Sequence, residues 1–123
     1  MKKIFILLGI LLLGIISYAK EEAILGTWII KESGEIVEIY KNKDGEYSGK
    51  IKENNFIFLK QTSELSYDKE RNSLGPFNLK FPKGEFSYYV WINIEKDGNL
   101  FIKGTGNTEV GKYVTELHLI RQK

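Results

Sequence analysis

The chain has 123 residues, 42% hydrophobic and 28% charged, which suits one modest domain and excludes collagen-like, disordered and multidomain compositions. It contains no Cys, so disulfides, thiolate nucleophiles and thiolate metal sites are excluded too. Taking Lys2 and Lys3 of a removable N-terminal stretch from the 18 basic residues leaves 16 against 16 acidic ones, and a neutral domain has no field to gather a phosphate backbone, so no nucleic-acid partner is expected.

The first element in chain order is an address. Lys2 and Lys3 precede an apolar run from Ile4 to Ile16, and Ser17-Tyr18-Ala19 places small residues at the two positions a signal peptidase reads. Cleavage after Ala19 is expected, making 1–19 a signal peptide and 20–123 a single domain. A run of 13 residues falls short of the roughly 20 needed to cross a bilayer, so no membrane span is expected after cleavage. Without a Cys after the run there is no lipoprotein acceptor. The expected location is exported, periplasmic or secreted. Export normally encourages disulfides, so a Cys-free domain of this size must rely on its core and on closure of its sheet.

From residue 20 onward the pattern is β. Apolar residues alternate with period two between Gly, Asn and Asp turns about every ten residues, and no window repeats them at helical spacing. Strands are expected near Ile24 to Lys31, Glu35 to Asn42, Glu46 to Glu53, Phe56 to Tyr67 (broken), Ser73 to Phe81, Glu85 to Glu95, Asn99 to Thr105 and Tyr113 to Arg121. The longest connections fall around Lys60 to Leu65 and Gly106 to Lys112.

Turn chemistry tests this reading, because a hairpin must bring the apolar residues of both strands to one face. Lys43-Asp44-Gly45 and Lys96-Asp97-Gly98 suit a type I turn closed by a left-handed Gly. Val37 and Ile39 then face Ile51 and Gly49, while Ile92 and Ile94 face Ile102 and Leu100. Across Ser33-Gly34, Trp28 and Ile30 face Ile39 and Val37. Across Lys83-Gly84, Phe77, Leu79 and Phe81 face Val90, Tyr88 and Phe86. On the last strand Tyr113, Thr115, Leu117, Leu119 and Arg121 form the inward set. Meander strands with one apolar face must close or stack to hide their edges, and the simplest closure is an eight-stranded antiparallel up-and-down β-barrel, an all-β fold. Its last strand would lie against its first and bring Arg121 to Trp28.

At these residues the chain resembles a known group. Gly26-Thr27-Trp28 opening the first strand, with Arg121 closing the last, resembles the shared signature of the lipocalin-like (calycin) superfamily. That resemblance implies that the Trp plugs one end of the barrel with the Arg across its ring, so Gly26, Trp28 and Arg121 would be the structural closure. With Gly45-Glu46-Tyr47-Ser48-Gly49-Lys50-Ile51 following Ile36-Val37-Glu38-Ile39-Tyr40, the segment from Leu25 to Ile51 is similar to a family of small exported bacterial proteins classed as a domain of unknown function.

The residues offer little for catalysis. The single His, His118, alternates with Glu116 on the outer face, away from any nucleophile. Gly45-Glu46-Tyr47-Ser48-Gly49 has its Ser one place late for a nucleophile elbow, and Gly104-Thr105-Gly106-Asn107-Thr108-Glu109-Val110-Gly111 joins two strands with no helix to hold a phosphate. Glu35, Glu38, Glu46 and Glu53 fall on solvent faces or turns, so no metal site, no cofactor and no enzyme are expected. The expected function is a non-catalytic binding module of the cell envelope, with a small ligand held in the barrel as the leading reading and a protein-interaction surface on a filled barrel as its alternative. Val37, Ile51, Phe58, Phe81, Phe86 and Tyr88, placed toward the end away from Trp28, could line a barrel mouth for a small apolar or amphipathic ligand, with Tyr47, Tyr88 and Tyr113 as polar handles. Such barrels equally fill with their own side chains. Tyr89, Trp91 and Phe101 point outward with Lys103 opposite Trp91, and could form a surface for a protein partner, unless the segment Gln61 to Asn72 covers them.

Overall fold

The computed structural model describes residues 20–83, 87–108 and 111–122, with side-chain surroundings for 20–83, 87–105 and 114–122. The expected signal peptide, Gly84 of the fifth turn, Phe86 and the Tyr113 side chain lie outside the described residues. Eight strands follow a helical turn at 20–23: β1 (Gly26–Ile30), β2 (Ile36–Lys41), β3 (Tyr47–Ile51), β4 (Ile57–Asp68), β5 (Ser73–Lys80), β6 (Ser87–Ile94), β7 (Leu100–Thr108) and β8 (Gly111–Arg121). Each pairs antiparallel with its chain neighbours and β8 returns to β1, giving a closed up-and-down barrel.

The two Asp-Gly turns behave as their chemistry dictates. Gly45 and Gly98 take φ of 82° and 89°, values that only glycine adopts cheaply. Asn42 N–H donates to Glu46 O at 2.8 Å, and Glu95 N–H donates to Asn99 O at 2.9 Å. These two hairpins carry the expected partners, Val37 with Ile51 and Ile39 with Gly49 in one, Ile92 with Ile102 and Ile94 with Leu100 in the other. Phe77 and Leu79 likewise meet Val90 and Tyr88.

Three expectations change. The first hairpin is slid by two residues, so that Trp28 pairs with Val37 and Gly26 with Ile39. A slide of two keeps every side chain on its face, so alternation alone does not detect it. Val37, and with it Ile51 across the next ladder, is therefore beside Trp28 rather than at the far end, because the five-residue β1 sets its centre against the start of β2. The supposed connections at 60–65 and 106–112 are also mostly strand. β4 is one continuous strand through 57–68, and the expected break survives only as a register shift against β5 between Gln61 and Ser66. The β7–β8 ladder continues to Asn107↔Lys112 and Thr108↔Gly111.

Closure rests on β1 and β8, with Trp28↔Arg121, Ile29↔Ile120 and Ile30↔Leu119 in register. The Arg121 guanidinium carbon lies 4.2 Å from the Trp28 ring centroid, a cation–π contact worth about 0.5–2 kcal/mol. Its two terminal nitrogens donate to Leu25 O at 3.1 Å and Ala23 O at 2.9 Å, satisfying carbonyls at the end of the helical turn. Trp28 Nε1–H donates to Ile24 O at 3.0 Å. Gly26 is required twice over: its φ is 127°, and a Cβ there would stand 2.7 Å from an Arg121 nitrogen.

Candidate functional site

Inside the barrel, Val37 is 0% exposed and Ile51 and Phe58 are each 2% exposed. They belong to one continuous core with Trp28, Leu79, Val90 and Ile102, packed against one another as protein interiors are. Two glycines make this filling possible. The Phe58 ring packs over Gly49, where a Cβ would be 3.0 Å from Phe58 Cε1, and Val90 occupies the room left by Gly104, where a Cβ would be 2.1 Å from Val90 Cγ1. Tyr47 is buried in the same core, whereas Phe81 and Tyr88 are only partly buried against it and meet edge to face, with centroids 6.3 Å apart. The structure thus brings Val37, Ile51 and Phe58 together as packed core and leaves Phe81 and Tyr88 at its margin.

The outer face of β5, β6 and β7 differs. Tyr89 is 58% exposed, and Trp91 and Phe101 are half-buried. The last two form the floor of a groove of about 570 Å³ walled by Asp68, Arg71, Ser73, Asn93 and Lys103. A bulge positions Trp91. Between Leu74 and Phe77 β5 gains one residue over β6, which sets Gly75 against the indole: a Cβ on Gly75 would lie 2.7 Å from Trp91 Cδ2 and 3.0 Å from Cγ and Cε3. One face of the ring is laid flat on the backbone while the residue lines the groove. Bulges commonly re-aim side chains in this way.

The segment 61–72 stands beside the aromatics as a wall. Its corner is tied down: Asp68 Oδ1 accepts Glu70 N–H at 3.0 Å, Asn93 Nδ2 donates to Arg71 O at 2.8 Å, and Asn72 bonds both the Tyr67 hydroxyl and Ile94 O. Across the floor, Trp91 pairs with Lys103 and Asn93 with Phe101, as alternation indicates. Lys103 reaches Glu116 at 3.8 Å and Arg71 reaches Asp68 at 3.9 Å. Both pairs are long and exposed, a class that contributes little stability and is easily rearranged.

Beyond Phe101 the row continues into His118, whose ring is 4.7 Å from that of Phe101. Glu32, from the β1–β2 turn, accepts His118 N–H at 2.8 Å and holds His118 Nδ1 at 2.6 Å. Slight burial pushes the Glu32 carboxyl up, but the His118 backbone N–H, its imidazole and its charge outweigh that and hold it below the usual carboxylate range. Sequence reasoning missed this pair. The closing register contained it, since Ile30↔Leu119 puts the next residues of the turn beside His118.

Among the described residues no group of three or more His, Asp or Glu could hold a metal ion, and no helix is long and apolar enough to cross a membrane. The fold is that of a small closed β-barrel protein. No protein-family model, no curated protein and no solved structure matches the chain.

Proposed function

We propose that this protein is an exported, non-catalytic binding module that takes a protein partner on the outer groove of β5–β7. The observation that carries this reading is Trp91, seated flat on Gly75 and lining the groove with Phe101, above a barrel whose interior is packed with its own side chains. Large aromatics held rigid and half-exposed are the residues most enriched among energetic anchors of interfaces. The tied corner at 68–72 supports the same reading, because a wall fixed in advance lowers the ordering cost of binding. Arg71 and Lys103 at the rim favour a partner segment that sets an apolar side chain between two acidic ones. The leader-like start supports a periplasmic or secreted setting.

A second reading, a small apolar ligand in the barrel, is favoured by the partly exposed Phe81 and Tyr88. One set of preparations tests both. Recovery of the partner from the native envelope should fall at least tenfold in Trp91→Ala and remain unchanged in Tyr88→Ala, and neither protein should take up N-phenyl-1-naphthylamine stoichiometrically. Equal recovery by Trp91→Ala overturns the proposal, and one-to-one dye uptake abolished by Tyr88→Ala establishes the second reading in its place.

A further inference from the structure

A second cleft, of about 460 Å³, lies on the outer face of β2 to β5. Its row is set by register: Tyr40 pairs with Ser48, Ser48 with Lys60 and Lys60 with Asn78. Lys80 follows on the same outward face of β5 and Asn42 closes one end. Diagonal neighbours on adjacent strands are within reach of long side chains, so the Lys60 and Lys80 ammonium groups can converge on one guest.

The lining groups act as donors. Asn42 Oδ1 already accepts the N–H groups of Asp44 and Glu46, both at 3.0 Å, which turns the remaining side-chain N–H₂ into what Asn42 has to offer. Ser48 is 4% exposed, and among the described residues its hydroxyl meets no hydrogen-bond partner. Its oxygen is not among the buried unpaired atoms and therefore opens onto the cleft, where it can donate to a bound group. Among the described residues no carboxylate lines the cleft. The nearby Lys50 is answered by Glu38 at 3.7 Å, whereas Lys60 and Lys80 have no acidic partner among the described residues.

Two ammonium groups with no acidic partner among the described residues, a hydroxyl open to the cleft and an amide presenting its N–H₂ suit an oxyanion with more oxygens than a carboxylate offers. Ile57, 42% exposed, adds an apolar flank. We propose that this cleft binds a phosphate monoester carried on a small apolar group, with Lys60 and Lys80 holding the charge and Ser48 donating to a phosphoryl oxygen. The site is independent of the groove at Trp91, so the two stand or fall separately.

Phenyl phosphate titrated into ¹⁵N-labelled protein at low salt tests it, since attraction between exposed charges is screened within about 8 Å at 0.15 M. Saturable shifts are expected at the Ser48, Lys60 and Asn78 amides and not at Trp91. Affinity should fall at least tenfold in Lys60→Ala with Lys80→Ala and about threefold in Ser48→Ala. It should be unchanged in Lys43→Ala with Lys96→Ala, which removes the same charge from the two Asp-Gly turns. The proposal is overturned by shifts that never saturate, by equal loss in the turn-lysine variant, or by binding only to phosphatidylglycerol vesicles and not to phenyl phosphate.

Discussion

The two tryptophans of this chain occupy opposite settings. Trp28 is 0% exposed, its N–H is bonded and a guanidinium covers its ring. Trp91 is half-buried, with one face on Gly75 and the groove beside it. The contrast shows how a barrel with one apolar inner surface divides its aromatics: inward ones hold the sheet closed, and outward ones stay at the surface of the ladder, where the proposed partner would meet them.

Substitutions should break this contrast in a graded order. Trp28→Ala is expected to cost about 3–5 kcal/mol, the range for deleting a buried aromatic, and urea unfolding should show the midpoint collapsing or the cooperative transition lost. Gly104→Ala should cost about 1–3 kcal/mol through overpacking against Val90, read by the same assay. Arg121→Lys keeps the charge but loses the planar fork that bonds two carbonyls while covering the indole, and thermal melts should register about 1 kcal/mol. Trp91→Ala should leave stability within about 1 kcal/mol, as exposed sites do, although the same substitution is expected to remove partner recovery.

The smallest effect concerns Glu32. Its folded pKa lies below the ordinary value, so its stabilising contribution is present above the unfolded pKa and is lost as pH falls through the depressed folded one. Because the pair is well exposed, screening limits the contribution to about 0.5 kcal/mol. Unfolding of wild type and Glu32→Gln should differ by that amount at neutral pH and converge in acid; a gap that widens in acid would reverse the assignment.

Much of this architecture is written in residues that act locally. Gly45 and Gly98 set two hairpins by conformation alone, and the alternation of Ile92 and Ile94 against Ile102 and Leu100 assigns their face. The closing pair of Trp28 and Arg121 follows once eight strands meet end to end. What stayed hidden depends on shifts that alternation tolerates or on distant partners. The two-residue slide of β1 on β2 preserves every face, and the bulge that seats Trp91 on Gly75 needs an odd residue whose position period two does not reveal. The groove wall at 68–72 and the Glu32–His118 pair join segments far apart in sequence. Trp91 and Phe101 were readable as outward aromatics; the packing of Val37, Ile51 and Phe58 was not, because a filled barrel and a hollow one use the same apolar residues.

Photo-crosslinking from position 101 tests the central claim most directly. With p-benzoylphenylalanine replacing Phe101 in cells, a discrete protein adduct should form and should disappear when Trp91→Ala is added. An adduct that persists undiminished without Trp91 would contradict the assignment of the outer groove as the binding site.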